Sequence, residues 1–256
     1  MLSLSGRGAI VAGTRRLGAR VVERLADEGV NLAIVYRRSR AEAEALLESV
    51  RPRVEHACLV QADLAVEADV RDAIAEARRE LGELSICVNL ASDFPRVALR
   101  DLDAAAWDLA MGTAKASYLL LLHAARAMMA NPGPTRGHLI NFGDWASGET
   151  PYTDYLPYLT AKAAVLFMSR AFAVELAPHG ILVNTISPGP SARPDDLTSA
   201  EWQEALAESP LHRESSIDDM AETIVTLLKL ETITGEDIRI DSGRHIAGAG
   251  RPRASV

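Results

Sequence analysis

A chain of 256 residues with 48% hydrophobic and 24% charged content is long enough to bury a core and too apolar to be disordered. Its net charge of −8 argues against nonspecific binding to nucleic acid or to an anionic membrane. The six histidines show no metal-ligand spacing, so no metal is expected, and the two cysteines, Cys58 and Cys87, sit in apolar runs as structural thiols.

Met1–Gly6 has neither a charged n-region nor a long apolar run, so no signal peptide is expected. The longest apolar run, Ala116 to Ala125, is too short to span a bilayer. A cytoplasmic protein is the expectation.

Short apolar runs alternate with longer amphipathic stretches. The predicted order opens with a strand at Gly8–Ala12, a helix at Leu17–Glu28, a strand at Val30–Tyr36 and a helix at Arg40–Val50. A strand at Glu55–Val60, a helix at Glu67–Leu81, a strand at Ser85–Asn89 and a long helix at Ala104–Ala130 follow. Then come a strand at His138–Phe142, a helix at Tyr158–Ala177 and a strand at Ile181–Ser187. Helices near Ser199–Ala207 and Ile217–Leu230 and a strand at Asp237–Asp241 close the pattern. Strands that are apolar throughout imply a sheet covered on both faces. The strict alternation implies an α/β fold: one Rossmann-type, doubly wound parallel sheet of about seven strands, with helices on both faces. One domain over 1–256 is expected. The stretch 188–209, with its Pro-, Gly- and Asp-rich start, is read as a substrate loop.

The first strand runs into Gly13-Thr14-Arg15-Arg16-Leu17-Gly18. A tight turn there would bring backbone N–H groups and a helix N-terminus to a pyrophosphate. The second strand ends in Tyr36-Arg37-Arg38-Ser39, where an NAD enzyme would place a carboxylate. Two guanidinium groups and a hydroxyl at a helix start suit a 2′-phosphate, so NADPH/NADP+ is the expected cofactor.

Tyr158 and Lys162 lie four apart on a predicted helix, hence on one face. An ammonium beside a phenol would favour the phenolate and lower its pKa. Tyr152 and Tyr155 have no lysine four residues on and are read as bystanders. Asp144 lies upstream, after the fifth strand. Its carboxylate only accepts hydrogen bonds when ionised, which suits a donor-rich ligand better than a ketone.

This order of motifs resembles the short-chain dehydrogenase/reductases along essentially the whole chain. The resemblance extends to Asn184–Gly189, Pro210–Arg213 and Ile233–Gly243. It implies a catalytic Tyr158 and a Lys162 that also holds the nicotinamide ribose. It implies cofactor contacts from Gly13, Arg16, Leu17, Gly18, Asp63, Leu64, Asn89, Ala91, Ser92, Pro188, Gly189 and Ser191. Thr113 stands where the family usually has an asparagine that supports the lysine through water. Val11, Ala12 and Leu90 also depart from the family pattern.

Arg16-Leu17-Gly18, Arg38-Ser39, Ser92 with Phe94, and Asp144 in place of the usual serine resemble the pteridine reductase branch. That likeness implies hydride transfer from NADPH to a C=N bond of a pterin or dihydropterin. Phe94 would stack on the ring, Asp144 would orient substrate and relay protons, and Trp145 would line the pocket. The first alternative is a carbonyl or 3-oxoacyl reductase. Another is a non-catalytic NADP-binding sensor or scaffold. The family resemblance implies a homotetramer built through the helices at Ala104–Ala130 and Tyr158–Ala177, with a small-molecule substrate as the remaining partner.

Overall fold

The computed structural model describes residues 1–193 and 197–247. Seven strands form one sheet: β1 (Gly8–Ala12), β2 (Asn31–Tyr36), β3 (Ala57–Gln61), β4 (Ile86–Asn89), β5 (Gly137–Phe142), β6 (Ile181–Pro188) and β7 (Asp237–Ile240). Their order is β3-β2-β1-β4-β5-β6-β7, and every neighbouring pair is parallel. Seven α-helices lie among the described residues: α1 (Leu17–Asp27), α2 (Arg40–Val50), α3 (Glu67–Leu81), α4 (Ala104–Met128), α5 (Leu156–Leu176), α6 (Ser199–Ala207) and α7 (Ile217–Lys229).

Alternation along each strand divides the core in two. Ile10, Ala12, Cys87 and Leu139 pack toward α3 and α4, with Ala173 and Leu176 of α5. Ala9, Val11, Ile34, Val88 and Ile140 pack toward α1, α2 and α7. Both faces are therefore covered, which is why the strands read as unbroken apolar runs.

Most element ends move from the sequence reading by only one or two residues. The instructive shift is at α5. It starts at Leu156 with Pro157 in its first turn, where proline costs no backbone hydrogen bond, so Tyr158 sits inside the helix. The sheet order reverses between β1 and β4, and the carboxyl ends of those strands open a crevice.

At the opposite end of the strands from the crevice, on β5, the His138 ring is buried and neither of its nitrogens has a hydrogen-bond partner among the described residues. Burial, aided by the charge of Arg7, pulls its pKa from 6.5 down to about 4. The folded chain thus binds fewer protons than the unfolded chain between those values. The stability this gives is full above pH 6.5 and is lost as pH falls toward 4. The expected loss is roughly 3 kcal/mol. Urea midpoints of the protein and of His138→Leu across this window should show a shallower pH dependence in the variant; parallel curves would contradict the assignment.

Candidate active site

The crevice is a cleft of about 750 Å³, walled by the β1–α1 turn, the ends of β2 to β5, α4 and the start of α5. Gly13 has φ +95°, and a Cβ there would lie 2.8 Å from the Leu90 carbonyl carbon. A Cβ on Gly18 would lie 1.6 Å from the Gly13 carbonyl oxygen. Both glycines are therefore required for the turn to fold back under the helix start. Val11 and Ala12 need no glycine-like freedom, since both are fully buried in β1. Leu90 packs partly into the core beside β1, so its departure from the family pattern is a packing choice.

Gly13, Leu17, Gly18, Tyr36, Arg37, Arg38, Ser39, Asp63, Leu64, Ala91, Ser92, Phe94, Thr113, Tyr158, Lys162 and Pro188 all line the cleft. Six other sequence candidates do not. Arg16 caps α1 with φ 43° and points to solvent, and Arg15 takes the cleft wall instead. Asn89 turns into the core, donating to Ser117 Oγ at 2.9 Å and to Asn141 Oδ1 at 3.0 Å. Its own Oδ1 accepts from the Ala91 N–H at 3.3 Å, which shapes the β4 end from behind. Gly189 continues the β6 ladder, its N–H donating to Ile240 at 3.0 Å. Ser191 is half-buried beyond it, and residues 194–196 of the expected substrate loop lie outside the described residues. Asp144 and Trp145 stand behind the cleft wall, each only 8% exposed.

The candidate catalytic groups meet at the start of α5. Tyr158 is 8% exposed and Lys162 4%. The Tyr158 hydroxyl donates to Asp144 Oδ2 at 3.0 Å. The Lys162 ammonium donates to the Phe142 carbonyl at 2.9 Å and lies 5.9 Å from the Tyr158 ring centre. Oδ1 of Asp144 accepts the Ala146 N–H at 2.9 Å.

Burial dominates the acid–base state of this cluster. It pushes the Asp144 carboxyl up, against the pull of the Ala146 N–H, the two phenols and the Lys162 charge. It pulls Lys162 down to about 8, with Asp144 opposing. Spacing along the chain puts a lysine beside the tyrosine, where its charge would lower the phenol pKa. The protein's own groups do the reverse: burial first, and then the Asp144 charge, push Tyr158 well above the ordinary phenol range. Tyr158 is thus a neutral proton donor near pH 7.

Sequence reasoning missed Tyr152 and Tyr155 as members of the site. Tyr152 donates to Asp144 Oδ2 at 3.2 Å, and Tyr155 stacks on Phe94 with ring centres 4.4 Å apart. Phe94 also meets Tyr158 edge-on at 4.7 Å and keeps 48% of its surface exposed. The signal was present as tyrosines at every third position, but Tyr152 precedes the helix, so helical spacing does not find it.

The family model described as enoyl-(acyl carrier protein) reductase matches residues 11–245. The chain belongs to the short-chain dehydrogenase/reductase family. It is 32% identical to the short-chain reductase protein NovJ of Streptomyces niveus, over 92% of this chain and 93% of that protein. It is 30% identical to pteridine reductase 1 of Leishmania tarentolae, over 94% of this chain and 97% of that protein. Against the 3-oxoacyl-[acyl-carrier-protein] reductase FabG of Staphylococcus aureus the identity is 28%, over 94% and 98%. The solved structure of FolM alternative dihydrofolate reductase 1 from Brucella canis, complexed with NADP, superposes with a TM-score of 0.87 at 29% identity. That match covers 98% of this chain and 99% of the other. As a member of this family, the protein is an enzyme, which sets aside the sensor reading.

Proposed function

We propose that this short-chain reductase uses NADPH to reduce a C=N bond of a pterin-like heterocycle. The observation that carries the reading is the 3.0 Å bond from Tyr158 to a buried carboxylate where the family usually has a serine hydroxyl. The cleft fits the cofactor: the Gly13–Gly18 turn leaves no room for a Cβ, and Arg37, Arg38 and Ser39 line its far end. NADPH, when bound, supplies the hydride that forms the new C–H bond.

Tyr158 gives its proton to the ring nitrogen. Asp144 accepts the Tyr158 hydroxyl from behind as a carboxylate; after the transfer it takes up a proton from solvent and passes it to the Tyr158 phenolate, returning to the ionised form. Lys162, with its ammonium anchored on the Phe142 carbonyl, would hold the ribose hydroxyls of the bound cofactor. Thr113, on the α4 wall, has a hydroxyl that a bridging water would link to Lys162. The outer face of Phe94 is the platform on which a flat ring stacks. Trp145 and Asp144 are too enclosed to be the ring's main contact, so that part falls to Phe94 beside Tyr158. The stretch 188–209 is assigned as the substrate loop of a single domain. The exposed Tyr118, Phe167 and Val174 on α4 and α5 support a homotetramer.

The second reading is a 3-oxoacyl or other carbonyl reductase. The full-length identity to FabG supports it. Oxidation of NADPH by the purified protein separates the two. A 7,8-dihydropterin is expected to be turned over faster than an acetoacetyl thioester, and NADPH to be used in preference to NADH. Activity on the ketone alone makes the carbonyl reductase the answer.

A further inference from the structure

The Asp144 carboxylate accepts three hydrogen bonds among the described residues, and the reaction above uses only one of them. Oδ1 takes the Ala146 N–H, and Oδ2 takes two phenols, Tyr158 at 3.0 Å and Tyr152 at 3.2 Å. Tyr152 is clamped in that position. Trp145 stacks on its ring at 5.8 Å, and Tyr155 meets it edge-on at 5.1 Å. Trp145 is itself covered by the Arg244 guanidinium at 5.3 Å, and Arg244 pairs with Glu208, which caps the end of α6.

We propose that Tyr152 is a positioning residue for the reduction: it holds the Asp144 carboxylate at the Tyr158 hydroxyl while Tyr158 turns its proton to the substrate. The proposal rests on the assignment of Tyr158 and Asp144 above. A phenol has one proton. When Tyr158 directs it at a substrate nitrogen, Asp144 loses that donor in a buried site. An acceptor left bare there is costly and free to rotate. Tyr152 is not on the cleft wall and has no substrate to serve, so its proton stays on Oδ2 throughout the cycle.

The groups facing Asp144 are few. Tyr158 and Lys162 come from α5, Tyr152 from the turn before it, and the Ala146 N–H from its own loop. Tyr155 lies one ring further out, and Arg244 lies beyond Trp145. Deleting the Tyr152 hydroxyl removes a donor that favours the charged form, so the Asp144 carboxyl moves up.

Tyr152→Phe in the full chain tests this. The variant keeps both ring contacts, and unchanged NADPH affinity reports that it has folded. With the 7,8-dihydropterin, kcat is expected to fall about tenfold, as for loss of one hydrogen bond to a charged group. The acid limb of the kcat profile should move to higher pH. Carboxyl-13C NMR, with Asp144 assigned through Asp144→Asn, should show the same upward move with no substrate present. An upward NMR shift accompanied by loss of ketone turnover, with no pterin turnover in the parent protein, keeps the proposal and removes the pterin reading. An unchanged NMR midpoint, or a shifted midpoint with kcat unaltered on every substrate turned over, overturns the positioning role.

Discussion

Tyr158→Phe is expected to lower kcat for dihydropterin reduction by about 10²–10⁴-fold, the usual worth of a general acid. NADPH affinity should not change. The ring keeps its edge contact with Phe94 at 4.7 Å and its place beside Lys162. What is lost is the only cleft-facing hydroxyl bonded to Asp144 among the described residues. Because burial and the Asp144 charge keep that phenol protonated, it acts as a donor, and phenylalanine has nothing to donate. The measurement is kcat at saturating NADPH together with cofactor binding by fluorescence. A variant that keeps more than about a tenth of the parent rate would remove Tyr158 from the chemistry, since general acids are seldom worth so little.

Asp144→Ser should separate the two substrate readings. A serine hydroxyl is too short to accept from Tyr152 and Tyr158 together, and it carries no charge. Each hydrogen bond to a charged group is worth about 1.5–3 kcal/mol, or roughly 10- to 150-fold in rate. Dihydropterin turnover should fall within that range, while turnover of an acetoacetyl thioester holds or rises. The same change strands the half-buried Tyr152 hydroxyl, so thermal stability should drop as well, by about 1 kcal/mol. Equal dihydropterin rates in the two proteins would return Asp144 to the status of a tolerated replacement for serine.

The Asp144 network also shows where reading a linear chain stops. Strand and helix order, the two required glycines, the Tyr36–Ser39 basic stretch and the Tyr158–Lys162 pair were all legible, because each depends on residues a few positions apart. Leu90, Val11 and Ala12 looked like defects in a motif. Val11 and Ala12 are core residues and Leu90 packs against the core, and the motif survives around them. Arg15 and Arg16 could not be ranked from sequence. Which of them faces the cleft follows from the unusual backbone at Arg16, φ 43°, where the turn meets α1.

The partners of Asp144 were not legible for a different reason. Tyr152 joins it from outside the helix that carries Tyr158, and Arg244 braces Trp145 from almost a hundred residues away. The sign of the Tyr158 shift was also out of reach. Adjacency in sequence puts an ammonium near the phenol. The outcome was set instead by desolvation, which depends on everything packed around the ring.

By itself, then, the sequence determined the parallel sheet, the family and the candidate side chains that the fold brings to one cleft, since hydrophobic period and short motifs are local properties. Tertiary structure alone decided that Asp144 and Trp145 lie behind the cleft, that two phenols share one carboxylate oxygen and that burial pushes the Tyr158 phenol above its ordinary range. Those are matters of burial and of long-range contact, and both arise only when β5, α5 and the segment after β7 pack together.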